Sequence, residues 1–373
     1  MREVKFLFAV LFAILCNVAF SQKFPFPMNV AYKYGIQASN PDVNKIQSFY
    51  EYWKANFYEE NADHSLARVR FDTPDKTVSE GIAYGMFILV YMDNSTNNTR
   101  TMFDKLYKYY KNYSRSPGGL MSWEIWGFGN NGDANSASDA DIEVAFDLLI
   151  ASKQWGDAGT YNYTNEAKSL ISKIWNSEIN GELAVKPSDG WDGKTNPSYF
   201  INVAFHLFKQ VDSHNWDGVI AKAYQLIKTS RNSTTGLVPD WCGYDGSPMA
   251  DFSYDAVRTP FRISMTYSWF GTQDAYDISN KIATWSRQKY NNVFGDDSTD
   301  VKHVLSGYKL DGTATTTYGD PTFHGAFMTA GMVDASHQKW VDDAHKLIIT
   351  NSYDTITYFN ACLRMMYLLY ATG

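Results

Sequence analysis

The sequence predicts an all-α single domain with few short strands, its helical hairpins closed into a ring or stacked in layers. Three observations carry this. Apolar residues recur at helical spacing in roughly twelve segments. Strand signals are few. No Pro-, Ser- or Gly-rich stretch of low complexity divides residues 22–373, so a chain long enough for two ordinary domains reads as one. A solenoid is the competing architecture, but no fixed repeat period is present.

The elements follow in order. Arg2 and Lys5 form a basic start, Phe6–Leu15 is an apolar run too short to span a bilayer, and Ala19-Phe20-Ser21 offers small residues at the two positions a signal peptidase reads. Residues 1–21 are therefore expected to be a secretory signal cut before Gln22, with no stable membrane insertion, leaving 22–373 as one folded domain. Gln22–Pro41 reads as an extended arm. Helical patterns then cover Val43–Phe57, Glu80–Tyr91, Thr101–Tyr110, Asp141–Gln154, Asn165–Trp175 and Pro197–Phe208. They continue over Trp216–Lys228, Thr259–Phe270, Thr272–Tyr290, Pro321–Met332, His337–Ile349 and Thr355–Ala371. Glu182–Val185 and Gly236–Pro239 are the candidate strands. Small residues at Gly81, Ala83 and Gly85 suit a closely packed helix.

Composition narrows the function. The formal net charge is −7, and Arg2, Glu3 and Lys5 contribute +1 to the expected leader, so the remainder stands at −8. Such an acidic chain is a poor partner for nucleic acid and suits a neutral or cationic substrate. Aromatic residues make up 16%, including 11 Trp and 26 Tyr, enough for a thick core or a long stacking groove. Neither Cys nor His shows zinc-ligand spacing, so no metal or cofactor is expected. Cys242 and Cys362 are open to one bridge or to two buried thiols. The chain is expected to act as a monomer.

Three acidic segments carry the candidate chemistry. Glu80 precedes an apolar run and so sits where a helix enters the core; the bland alternative is a helix-start carboxylate favoured by the dipole. Asp139 and Asp141 open a helix, where one of them is expected to cap it. Asp255 lies three residues before Arg258, which is an ordinary ion pair or a base kept ionised by a cation and the Tyr254 hydroxyl. Two carboxyl groups in different environments are the machinery of glycoside hydrolysis. Trp123, Trp126, Trp191 and Trp241 lie in loops rich in Gly, Asp or Pro, positioned to stack on sugar faces or to cap the core.

Seven segments together resemble glycoside hydrolase family 8. They are Val78-Ser79-Glu80-Gly81-Ile82-Ala83-Tyr84-Gly85-Met86, Gly119-Leu120-Met121-Ser122-Trp123, Ser136 to Ala145, Thr195-Asn196-Pro197-Ser198-Tyr199-Phe200, Gly236 to Cys242, Tyr254-Asp255-Ala256-Val257-Arg258 and Leu363 to Tyr370. The resemblance runs in register from about residue 30 to the end. It implies an (α/α)6 barrel and an inverting mechanism. Glu80 would be the general acid, Asp255 the general base, and Asp139 would bind and help distort the sugar at the cleavage point. Trp123 and Trp191 would match stacking positions, and Tyr254 and Arg258 would position Asp255. At the C-terminal tyrosine pair of some members this chain has Tyr358-Phe359, which puts a hydroxyl contact there in question. The implied substrate is a β-1,4-linked plant polysaccharide, with glucan ahead of xylan and chitosan third. A carbohydrate-binding protein without catalysis and a structural scaffold are the readings from other classes, and neither needs all three acids.

Overall fold

The computed structural model describes residues 23–129, 132–294, 304–350 and 356–373. The expected leader and the predicted start of the last helix at Thr355 lie outside these. Twelve α-helices are present among the described residues: α1 (Val43–Phe57), α2 (Ser79–Tyr91), α3 (Arg100–Asn112), α4 (Ser138–Trp155), α5 (Tyr163–Glu178), α6 (Asn202–Phe208), α7 (Trp216–Ser230), α8 (Arg258–Phe270), α9 (Gln273–Lys289), α10 (Pro321–Gly331), α11 (Gln338–Thr350) and α12 (Tyr358–Thr372). None of them is long and apolar enough to cross a membrane.

Packing sorts the helices into two shells. Helix α2 packs on α4, α4 on α6, α6 on α8, α8 on α10, α10 on α12, and α12 returns to α2, so the even-numbered helices form a closed inner ring. The odd-numbered ones lie outside: α3 packs on α2, α5 on α4, α7 on α6, α9 on α8, α11 on α10 and α1 on α12. The sequence explains the sorting. In α2 every residue from Gly81 to Val90 is buried, and in α12 every residue except Phe359. A helix that is apolar on all sides can only be satisfied inside. The outer α3 instead buries one stripe, Phe103, Leu106, Tyr107, Tyr109 and Tyr110, and leaves its charged face in water. Each inner helix follows an outer one that runs the opposite way, so the inner helices are parallel and their N-termini gather at one end.

The arm Lys23–Pro41 has no regular element and ties the other end. Phe26 N donates to Asp93 O at 2.8 Å, Ile36 N to Met332 O at 2.7 Å and Ala38 N to Ala371 O at 3.0 Å. These bonds satisfy carbonyls that helices leave unpaired at their C-termini.

The candidate strands need correction. Glu182–Val185 is a turn with Leu183 at φ +62°, whose one strand-like pairing is a bridge from Val185 to Ile179. Gly236–Pro239 is a loop turned by Gly236 at φ +78°. The strands are instead β1 (Tyr58–Glu60) with β2 (Ala67–Val69), and β3 (Lys76–Val78) with β4 (Glu124–Trp126), each pair antiparallel. At three residues each they are too short to show a period of two. Cys242 and Cys362 are both free and buried, and Cys362 Sγ receives the Trp53 indole N–H at 3.2 Å.

Inner helices touch where glycine allows it. A Cβ on Gly325 of α10 would stand 1.9 Å from the Tyr367 ring of α12. That ring is fully buried and has nowhere to move. Gly325→Ala is therefore expected to destabilise the fold by about 1–3 kcal/mol through overpacking. Urea unfolding of the variant measures this; an unchanged midpoint would mean that the α10–α12 contact is loose.

Candidate active site

The gathered N-termini of the inner helices each contribute to one cleft. Glu80 is the second residue of α2 and Asp139 the second of α4. Arg258 is the first of α8 and Tyr358 the first of α12. Tyr199 comes from a 3-10 turn, Pro197–Tyr199, just before α6, and Asp320 is the N-cap of α10. Helices α2, α4, α6 and α8 have no side-chain cap. The positive ends of the helix dipoles make this end of the ring electropositive, which favours carboxylates there.

Arg258 organises these groups. It is 1% exposed. Its Nη1 donates to Asp139 Oδ2 at 2.7 Å, to Glu80 Oε2 and to the Tyr84 hydroxyl at 3.2 Å. Its Nη2 donates to Asp255 Oδ1 at 2.9 Å and its Nε to the Asp255 carbonyl at 3.2 Å. The guanidinium lies 5.4 Å from the centre of the Tyr199 ring and 5.9 Å from that of Phe359. A planar fork with five N–H groups here meets five acceptors from three chain segments; a lysine ammonium has only three donors. So the Asp255–Arg258 pair is more than a local ion pair at i, i+3.

Charge balance sets the protonation. One cation among three carboxylates leaves the group at −2 if all are ionised. Burial pushes the Glu80 carboxyl above the usual carboxylate range; Arg258 opposes this, and the neighbouring Asp139 and Asp255 charges add to it. The Tyr358 hydroxyl donates to Glu80 Oε1. The Tyr358-Phe359 departure thus retains one hydroxyl contact, while Phe359 lines the cleft as a plain ring.

The sequence expectations are met unevenly. Neither Asp139 nor Asp141 caps α4. The cap position is Ala137, and its carbonyl receives Ala140 N and Asp141 N. Asp139 is drawn to Arg258 and Asp141 to the Tyr110 hydroxyl, both better donors than a backbone N–H. Tyr254 does not bond to Asp255; its hydroxyl donates to Asp320 Oδ2 at 2.7 Å. Asp255 is instead fixed through Asp240, which receives Ser253 N at 3.0 Å and Ala256 N at 2.7 Å and so holds the loop on both sides of it. Tyr84, Tyr199 and Asp240 were not singled out from sequence as working groups, and Tyr358 only as a hydroxyl contact in question. The fold brings Tyr84 and Tyr199 to Arg258, Tyr358 to Glu80 and Asp240 to the loop that carries Asp255.

The antiparallel β3–β4 pair joins the acid to an aromatic wall. Ser79 N donates to Trp123 O at 2.9 Å, placing Trp123 beside Glu80. Lys76 pairs with Glu124 at 2.5 Å and lies 5.1 Å from the Trp123 ring centre. A cavity of about 530 Å³ contains Glu80, Asp139, Asp255 and Trp123. An adjoining one of about 490 Å³ shares Trp123, Ala137 and Tyr199 with it and runs on to Trp191 and Trp241. Those two rings stand 5.3 Å apart, with the Lys194 ammonium 4.3 Å from the Trp241 ring centre. The result is a groove with acids at one point and flat rings leading away from them.

Comparison with known proteins agrees with this layout. Residues 18–373 match the model of glycosyl hydrolases family 8. Endoglucanase 2 of Ruminiclostridium josui is 36% identical over 382 residues, covering 97% of this chain and 78% of that one. Endoglucanase C of Ruminiclostridium cellulolyticum is 34% identical over 374 residues, covering 95% and 77%. The apo structure of a β-1,3-1,4-glucanase from Paenibacillus sp. X4 superposes with a TM-score of 0.84 at 27% identity, over 94% of this chain and 98% of that one. The protein is a glycoside hydrolase with the helical barrel of its structural neighbours. It belongs to glycosyl hydrolase family 8.

Arg258→Ala is expected to cost about 3–5 kcal/mol in unfolding free energy, because it leaves buried carboxylates without their cation. The loss shrinks as pH falls and the carboxylates take up protons. Urea unfolding at acid and neutral pH measures both effects; an equal loss at every pH would show that the carboxylates do not depend on Arg258 for their charge.

Proposed function

We propose that this chain is a secreted, inverting endo-hydrolase of β-1,4-linked plant polysaccharide, acting first on glucan. One observation carries the reading: three carboxylates share a single buried guanidinium at the side of an open, tryptophan-lined groove. Relatives named endoglucanases at 36% and 34% identity favour glucan as the substrate.

Glu80 would act as general acid. Its raised pKa keeps the proton that the glycosidic oxygen must receive as the bond to the anomeric carbon breaks. Asp255 would act as general base. Its side chain is 37% exposed and ionically paired with Arg258, a setting that supports a carboxylate able to take a proton from water. That water attacks the anomeric carbon from the face opposite the leaving group, which inverts the configuration. Room for it requires about 6.5–9.5 Å between acid and base. Asp139, buried beside Glu80, would hold the sugar at the cleavage point and raise the acid's proton affinity. Trp123 and Trp191 would stack on neighbouring rings.

Glu80→Gln is expected to lower kcat by about 10²–10⁴-fold with oligosaccharide binding retained. In the wild type kcat/KM should fall as pH rises through the raised Glu80 pKa, since the acid form is lost above it. Assays on carboxymethylcellulose, mixed-linkage glucan, glucuronoxylan and chitosan, with product anomers followed by NMR, test substrate and stereochemistry together. Activity confined to xylan or chitosan would move the substrate, a retained anomer would remove the inverting mechanism, and full activity of Glu80→Gln would remove the acid. Secretion predicts a mature protein beginning at Gln22; an exported protein whose intact mass includes residues 1–21 would contradict it.

A further inference from the structure

A second pair of buried acids lies behind the cleft and takes no part in the proton transfers just described. Asp141 on α4 and Glu178 at the end of α5 are both 0% exposed. Each has one oxygen served by a hydroxyl. Tyr110 donates to Asp141 Oδ1, and Ser136 donates to Glu178 Oε1 at 2.7 Å. The other two oxygens, Asp141 Oδ2 and Glu178 Oε2, are buried and receive no donor. The two carboxyl groups are nevertheless within hydrogen-bonding reach of each other. Ionised carboxylates only accept, so two of them cannot bond. Apposed buried carboxylates also repel too strongly for both to ionise. A single proton between the two orphaned oxygens satisfies both.

The pair underpins the segment that carries Asp139. The Ser136 hydroxyl that serves Glu178 also receives Asp189 N at 3.1 Å, and Ser136 N donates to Asp189 Oδ1 at 3.0 Å. Asp189 Oδ2 receives Gly118 N at 2.8 Å. Ser138 N donates to Pro187 O at 3.1 Å and the Ser138 hydroxyl to Lys186 O. Residues 136–138 are thus clamped between the pair and residues 186–189, and Asp139 follows directly.

We propose that Asp141 and Glu178 share one proton and act as a positioning pair that holds the Ser136–Asp139 segment, and with it the Asp139 carboxylate, against Arg258. The effect on catalysis rests on the role given to Asp139 above. The groups facing the pair are Tyr110 from α3, Asp139 from α4 itself, Ser136 from the entry to α4, and Asp189 with Lys186 from the stretch after α5. Burial comes first in raising both carboxyl pKa values. The charges of Asp139 and Asp189 add to it at Asp141, and that of Asp141 adds to it at Glu178. Tyr110 and Ser136 oppose the shift by donating to the pair. The Lys186 ammonium is engaged with the carbonyls of Ser177 and Asp189. Loss of the shared proton would set two buried negative charges side by side where α4 and α5 meet.

Glu178→Gln separates this from a general packing role. Its amide N–H donates to Asp141 without any proton to lose, and its carbonyl still receives Ser136. The folded wild type binds more protons than the unfolded chain between the ordinary carboxylate pKa and the raised one, so its stability falls as pH rises through that window. In Glu178→Gln this dependence should flatten, and the Tm difference, variant minus wild type, should grow with pH. The infrared band of a protonated buried carboxyl, present in the wild type at neutral pH, should weaken. At about pH 6 kcat should stay within about twofold of the wild type, the hydrogen bond being replaced like for like. Glu178→Ala removes the bond and should lower kcat by up to about 10²-fold with a smaller change in KM. A pH-independent Tm difference, an unchanged infrared band, or wild-type kcat in Glu178→Ala would each overturn the proposal. Full activity of Asp139→Asn beside the expected pH behaviour of Glu178→Gln would remove the catalytic reading of Asp139 while leaving the shared proton standing.

Discussion

The buried guanidinium of Arg258 is the interaction on which the rest of the site depends. It binds Glu80 and Tyr84 of α2, Asp139 of α4 and Asp255 of the loop before α8, three separate stretches of chain. A buried cation without carboxylates, or three carboxylates without the cation, would be far out of balance with a low-dielectric interior. Together they hold, but with surplus negative charge. That surplus turns a structural ion cluster into a chemical one, because it leaves a buried carboxyl with reason to keep its proton.

The barrel serves this cluster by bringing parallel helix starts together. Six inner helices enter from the same end, so residues at their first or second positions meet although up to 278 positions separate Glu80 from Tyr358. The missing side-chain caps on α2, α4, α6 and α8 fit the same purpose. On the outer helices α1, α5 and α7, Asp42, Asn162 and Asn215 satisfy the first turn locally. Four of the six inner helices lack such a cap, while Asp320 and Thr357 cap α10 and α12. The positive ends of these helices favour the candidate carboxylates placed at them.

The polar interior continues beyond the cleft. Arg262 pairs with Glu143 at 2.7 Å inside the ring, and Asp141 meets Glu178 behind it. Asp139, Asp141, Glu143 and Asp147 all lie on α4, and all are buried. That helix has a polar side within a shell of apolar ones. Its hydrophobic pattern in the sequence is correspondingly weak, yet 15 of its 18 residues are buried. Arg258, Tyr110 and Arg262 serve Asp139, Asp141 and Glu143; both oxygens of Asp147 are buried without a hydrogen bond, and burial pushes its carboxyl well above the usual carboxylate range.

The sequence by itself determined which segments are helices and which of them belong inside, because a run such as Gly81–Val90 can lose its water only by being surrounded. It also marked Glu80, Asp139 and Asp255 as acids in unusual places, and the family to which they belong. It did not reveal the strands flanking Glu80, which at three residues are too short for a period to register. It suggested a cap for α4 that is absent, and a Tyr254–Asp255 contact that goes instead to Asp320. Tyr84, Tyr199, Asp240 and Glu178 look like ordinary helix or loop residues when read along the chain. Their roles were decided by tertiary structure, since only ring closure sets how far a hydroxyl or carboxyl on one helix lies from a charge on another. At those distances, and with water excluded, the proton balance of the whole cluster is fixed.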